Sequence, residues 1–66
     1  MTVSEFLKSG LFKEKNVLII RGNKTNKLIA SCSSVTGYHS VLQSTQIMRS
    51  EICLLFQNEC DTVLYI

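Results

Sequence analysis

The chain has 66 residues, of which 45% are hydrophobic and 18% charged, with no proline and a formal net charge of +2. This composition excludes intrinsic disorder, which combines low hydrophobicity with high net charge. The length accommodates a single small domain over residues 1–66. The apolar runs are far shorter than the ~20 residues that cross a bilayer, and the N-terminal sequence lacks a secretory signal pattern. We therefore expect no membrane partner and a cytoplasmic location.

The cysteines point to the same compartment. Cys32, Cys53 and Cys60 are an odd number without a Cys-x-x-Cys pair, whereas a secreted chain of this size is usually held together by disulfides. We interpret all three as free thiols. Cys32 and His39, like Cys53 and Cys60, are separated by six residues, wider than the about two to four residues typical of paired structural zinc ligands. We therefore predict no metal site and no cofactor.

The first residues carry the signature of a helix start. Thr2 and Glu5 are spaced as a capping box, in which each side chain accepts a hydrogen bond from the other residue's backbone N–H. Behind them, apolar and small residues recur at the spacing of one helical face, and Gly10 lies where such a helix would end. The residues of this face are Val3, Phe6, Leu7, Gly10 and Leu11.

Two apolar runs, residues 17–21 and 27–31, flank the turn-forming residues 22–26. This arrangement predicts an antiparallel β-hairpin. In the simplest register, the facing pairs are Arg21 with Lys27, Ile20 with Leu28, and Leu18 with Ala30, and the apolar members of these pairs form a core face.

The region that follows is ambiguous. Residues 31–37 are small and polar, which predicts a connection, and residues 38–48 fit a second helix better than a strand. With a strand at 38–48, the order of one helix and five short strands resembles the Sm-like small β-barrel, whose members form RNA-binding rings. The resemblance is one of architecture: where that family has a basic–His–aliphatic segment between its last two strands, this chain has Asn-Glu-Cys-Asp.

A second hairpin is predicted at residues 52–57 and 62–66, with Gln57 opposite Thr62. The predicted fold class is thus α+β, with an N-terminal helix, two antiparallel hairpins and a second helix between them. Both faces of this second hairpin are apolar, so one is expected to cover the core and the other to need another helix or another protein. For the interface we predict the face that carries Leu55, Leu64 and Ile66.

The tip of the first hairpin is the main polar feature. Residues 1–31 contain six Lys and Arg against two Glu, while residues 32–66 contain one Arg against three acids. Like charges that face each other across strands repel, and an anion would relieve that repulsion. The candidate binding residues are Arg21, Lys24 and Lys27, with Tyr38 and His39 as the nearest stacking groups in sequence.

Catalysis finds little support in the residues. His39 is the single histidine, and Cys32 would be its thiol partner, but a buried structural cysteine fits the sequence better. We therefore expect no enzyme. The leading hypothesis is a small accessory or regulatory protein that binds a partner protein and self-associates, such as a phage-type inhibitor of a host factor. The alternative is a nucleic-acid-binding protein that uses the basic hairpin tip.

Overall fold

The computed structural model describes residues 1–32 and 38–66 and, for residues 38–40, the backbone alone. The elements are α1 (Val3–Lys8), β1 (Val17–Arg21), β2 (Leu28–Cys32), α2 (Tyr38–Gln43), α3 (Thr45–Arg49), β3 (Leu54–Gln57) and β4 (Asp61–Tyr65). The strands form one mixed sheet in the order β2-β1-β4-β3, with β1 and β4 parallel at its centre. The sheet is not closed into a barrel, so the α+β prediction is confirmed and the Sm-like alternative is wrong.

Helix α1 begins as the capping box predicts. The Glu5 amide donates to Thr2 Oγ1 at 3.1 Å, and the Thr2 amide donates to Glu5 Oε1 at 2.9 Å. The hydrogen bond from the Thr2 amide, and after it the interaction of the Thr2 side chain with the carboxylate, lower the pKa of the Glu5 carboxyl, because they favour its charged form. The helix is shorter than predicted: it ends at Lys8, and Gly10 follows with a φ of +82°.

The segment that was ambiguous in the sequence is helical. Helix α2 stops at Gln43, and α3 starts after Ser44, whose hydroxyl accepts a hydrogen bond from the Ile47 amide at 3.4 Å. A serine hydroxyl competes for backbone groups in this way and favours a helix start over a helix interior. Residues 33–37 of the predicted connection lie outside the described residues. None of the helices in the described part has the length and apolar character that a membrane crossing requires.

The core lies between the helices and one face of the sheet, which we call the helix face. Leu18 and Ile20 of β1 and Leu64 of β4 point to this face and are fully buried. The opposite face, which we call the open face, carries the alternate residues of the same strands. Its central members are Ile19, Arg21, Leu54, Phe56, Val63 and Tyr65. The buried residues packed on the helix face include Val3, Phe6, Cys32 and Val41.

The first hairpin forms, but the predicted register is wrong. Ile20 pairs with Ala30 while Arg21 pairs with Leu28, so one extra residue, Ile29, is accommodated in β2 as a bulge. Leu28 is therefore 58% exposed instead of lying in the core, and Arg21 does not face Lys27. The turn-forming residues predict that a hairpin forms here. No feature of the sequence predicts the bulge that changes its register.

The second hairpin forms with the predicted register, since Gln57 pairs with Thr62. Its turn is held by Asn58, whose Oδ1 accepts hydrogen bonds from the amides of Cys60 and Asp61 at 2.8 and 2.7 Å. Asn is favoured at the first position of such a turn because its side-chain oxygen replaces a backbone carbonyl as the hydrogen-bond acceptor. The parallel pairing of β1 with β4 joins the two hairpins into one sheet.

Candidate functional site

Strand β3 is the most exposed apolar element that the structure describes. Leu54, Leu55 and Phe56 are 50%, 40% and 58% exposed, respectively. Leu55 points to the helix face, as its pairing with the buried Leu64 shows, and yet it remains exposed at the edge of the sheet. Natural edge strands are usually protected by charges, proline or a bulge, and residues 52–58 contain none of the charged residues or prolines that would do this.

The open face continues this apolar surface across the sheet. Phe56 and Tyr65 form an edge-to-face aromatic pair with ring centroids 6.0 Å apart, a favourable geometry for two rings. Ile19 and Val63 lie half-buried beside each other in the parallel β1–β4 register. No helix among the described residues packs on this side. The apolar side chains of the open face and of β3 therefore form one surface, with Arg21 beside Tyr65 at its end.

The predicted interface residues are placed differently. Leu64 has no exposed surface, and Ile66 is half-buried, with part of its side chain packed against the core. Only Leu55 of the three is exposed. The alternation of the hairpin is the one predicted from sequence, but the helices cover the Leu64 side. The exposed side is therefore the one that carries Leu54 and Phe56.

The basic tip is the turn of the first hairpin with its three cationic residues, Arg21, Lys24 and Lys27. Arg21 Nη1 donates to the Asn26 carbonyl at 3.1 Å, while Lys24 and Lys27 are exposed. Within the part of the chain that the structure describes, none of the three forms an ion pair. The parallel register places Arg21 beside Tyr65, although the two residues are far apart in the sequence. The side chains of Tyr38 and His39 lie outside the described residues.

The tip is anchored to the end of β4. The Asn23 amide donates to the Ile66 carbonyl, and the Ile66 amide donates to the Arg21 carbonyl, each at 2.9 Å. A Cβ on Gly22 would lie 2.8 Å from Thr25 Oγ1, so a larger residue there would require the threonine side chain to move. A hollow of about 370 Å³ lies beside the turn, and its lining residues are Gly22, Asn23, Lys24, Thr25, Cys53 and Ile66.

The cysteines are free, as predicted, with Cys32 buried and Cys53 and Cys60 exposed. Burial raises the pKa of the Cys32 thiol, because desolvation disfavours the thiolate. A nucleophilic cysteine needs the opposite shift. Among the described residues, no three His, Cys, Asp or Glu side chains come together as potential metal ligands.

No protein-family model, curated protein sequence or solved structure matches this chain significantly. On the surface of the described residues, Leu54, Leu55 and Phe56 place three exposed apolar side chains next to one another on one short strand.

Proposed function

We propose that this chain is a non-enzymatic binding protein that docks a partner protein on its open face and β3. The observation that supports the proposal most strongly is the exposure of Leu54, Leu55 and Phe56 on one short strand. Contiguous exposed apolar residues on a small domain are typical of interaction sites. Interfaces are also enriched in aromatic anchors such as Phe and Tyr.

The energetics favour covering this surface. Full burial of one Leu or Phe side chain contributes about 1.5–3 kcal/mol relative to exposure, and three such side chains on β3 are only half covered. A partner that covers them gains several kcal/mol before the entropic cost of association. The Phe56–Tyr65 pair presents a ready anchor, because its two rings already constrain each other.

The remaining chemistry supports binding over catalysis. The Cys32 thiol is buried with a raised pKa, and Glu59 and Asp61 lie at the β3–β4 turn. We further propose a cytoplasmic protein that regulates or inhibits its partner, a role that suits a single small domain with free thiols.

The test is capture of partners by the wild-type chain and by two matched variants. Phe56→Asp places a charge on the open face, where the side chain is already exposed, and Leu42→Asp makes a similar change on α2. We expect Phe56→Asp to reduce recovery of a specific partner protein at least tenfold, because a charge in an apolar interface must be desolvated. Leu42→Asp should recover it as the wild type does.

The outcome of nuclease treatment separates protein from nucleic acid as the partner. Recovery that survives nuclease and depends on Phe56 supports the proposal. Equal recovery by the wild type and Phe56→Asp would refute the open face as the docking surface.

One observation favours nucleic acid as a second candidate. Arg21 lies beside Tyr65 on the open face, and Tyr65 contacts Phe56, so a cation and two rings share one side of a sheet. Sheet-borne aromatics stack bases in single-stranded nucleic-acid binders. In that case recovery would be lost on nuclease treatment and would fall steeply with salt.

A further inference from the structure

We propose that β3 pairs antiparallel with β3 of a second copy of this chain, which joins two four-stranded sheets into one continuous sheet. This inference rests on the proposed function, because it enlarges the same docking surface. It concerns the free edge of the sheet rather than its open face. A strand that binds this edge must therefore match the backbone hydrogen-bonding groups of β3 as well as contact its apolar side chains.

The free edge offers unpaired backbone groups. The Asn58 amide donates to the Asp61 carbonyl at 3.0 Å and so points to β4. Because alternate residues of an antiparallel strand direct their N–H and C=O groups to the same side, Leu54 and Phe56 also point to β4. Leu55 and Gln57 direct theirs to the free edge, where a second strand would pair with them.

The pairing window is short. Just before β3, the Ile52 amide donates to the Met1 carbonyl, whereas the Cys53 amide donates to Tyr65 on the β4 side. The N-terminal segment therefore occupies the outer edge up to Ile52. At the other end of β3, the Gln57 side chain accepts a hydrogen bond from the Lys13 amide and donates one to the Leu11 carbonyl, so residues 11–13 lie beside that end of the strand. A second copy therefore pairs at the centre of β3, and the new ladder consists mainly of the two hydrogen bonds that Leu55 exchanges with its counterpart.

The sequence of β3 is self-complementary in one register. Residues that face each other in an antiparallel pair lie on the same side of the sheet. A two-fold axis through Leu55 sets Leu55 opposite the partner's Leu55 and Leu54 opposite the partner's Phe56. Every facing pair of leucine or phenylalanine then lies on a matching face, and both open faces lie on one side of the joined sheet.

The pairing enlarges the open face, which in one chain is small for a protein–protein interface. Four strands of four or five residues, about 4.8 Å apart with a rise of about 3.3 Å per residue, make a face of roughly 300 Å². A standard interface buries about 800 Å² on each partner. Two joined copies double the open face to roughly 600 Å², which brings it closer to that size.

The same numbers predict weak association. Edge pairing of two short strands buries less than the ~1,200 Å² at the lower end of stable interfaces. We therefore expect a dimer that forms in the micromolar-to-millimolar range and exchanges rapidly. Its assembly stops at two chains, because an isologous contact closes on itself.

The oligomeric state tests the pairing directly. Sedimentation equilibrium of the wild type, from micromolar to millimolar concentration, should show the average mass rising from one chain towards two. Leu55→Lys puts a charge at the centre of the edge, a device that natural edge strands use against pairing, and should remain at one chain throughout. Leu42→Lys, at a similarly exposed leucine on α2, should behave as the wild type does.

Disulfide cross-linking tests the register. In a background of Cys53→Ser and Cys60→Ser, Leu55→Cys brings two thiols across the two-fold axis at a Cα separation of about 5.5 Å, which a disulfide can span. Leu54→Cys separates them by about 8 Å, which it cannot. We expect mild oxidation to cross-link Leu55→Cys several-fold more than Leu54→Cys.

Three results would overturn the pairing. They are a wild type that is strictly monomeric at millimolar concentration, a Leu55→Lys variant that dimerises like the wild type, and cross-linking of Leu54→Cys in preference to Leu55→Cys. If Phe56→Asp fails to capture the partner protein while the wild type is monomeric, the proposed function holds and the β3 pairing is refuted. If the wild type dimerises while Phe56→Asp captures the partner as well as the wild type does, the pairing holds and the open face is refuted as the docking surface.

Discussion

Replacing Leu64 with alanine is expected to lower the free energy of unfolding by about 2–5 kcal/mol, the usual range for a fully buried leucine. Leu64 has no exposed surface and packs in the same cluster as Phe6, Leu18 and Ile20. A domain of this length typically has only ~3–10 kcal/mol of stability. The variant should therefore be partly unfolded at room temperature, and urea titration followed by far-ultraviolet circular dichroism measures the loss.

Leu55→Ala is the matched control, because Leu55 is the direct register partner of Leu64 and undergoes the same chemical change. It is 40% exposed, so we expect its loss of stability to remain below about 1 kcal/mol. Similar losses for both variants would contradict the placement of Leu64 at the covered centre of the helix face and of Leu55 at its exposed edge. A larger loss for Leu55→Ala would mean that the edge at β3, and not the centre of the sheet, packs against the core.

Replacing Asn16 with alanine is expected to lower the free energy of unfolding by about 1–3 kcal/mol, because it leaves buried polar groups without a donor. Asn16 is buried, and its Nδ2 donates to the Asn58 carbonyl at 2.8 Å and to Thr62 Oγ1 at 3.2 Å. Thr62 Oγ1 in turn donates to Gln57 Oε1 at 2.8 Å. This network fixes the chain before β1 to the β3–β4 hairpin.

Asn16→Asp isolates the hydrogen-bond donor from the shape of the side chain. At neutral pH a buried carboxylate cannot donate to Asn58, so the loss should at least equal that of Asn16→Ala. Burial disfavours the charged form and so raises the pKa of such a carboxyl in the folded state. The stability of the variant should then increase as the pH falls through that raised pKa, because the protonated form donates one bond. An Asn16→Asp chain as stable as the wild type at neutral pH would refute the network.

The predictable parts of the fold are those that short-range chemistry decides. The Thr2–Glu5 capping box specifies the start of α1 within three residues of sequence. The Asn58 turn specifies the second hairpin together with its register. The parallel pairing of β1 and β4 joins residues more than forty positions apart, and no local pattern indicates it.

The candidate site also combines features that the local sequence predicts with features that depend on long-range packing. The apolar character of both faces of the second hairpin is visible in the sequence, but the choice of the buried face depends on where the helices dock. For that reason Leu64, a predicted interface residue, is buried, whereas Phe56 on the other face is exposed. The basic tip at Arg21, Lys24 and Lys27 remains a prediction, and the contact that links it to Tyr65 appears only in the sheet register.

Hydroxyl-radical footprinting of side chains, in the free chain and in complex with the captured partner, tests the central claim most directly. The method reports the solvent exposure of individual residues, and Phe56 and Leu42 are both well exposed in the free chain. Docking on the open face and β3 predicts that oxidation of Phe56 falls several-fold on binding while oxidation of Leu42 is unchanged. Unchanged oxidation of Phe56 in a complex that protects other residues would contradict the claim.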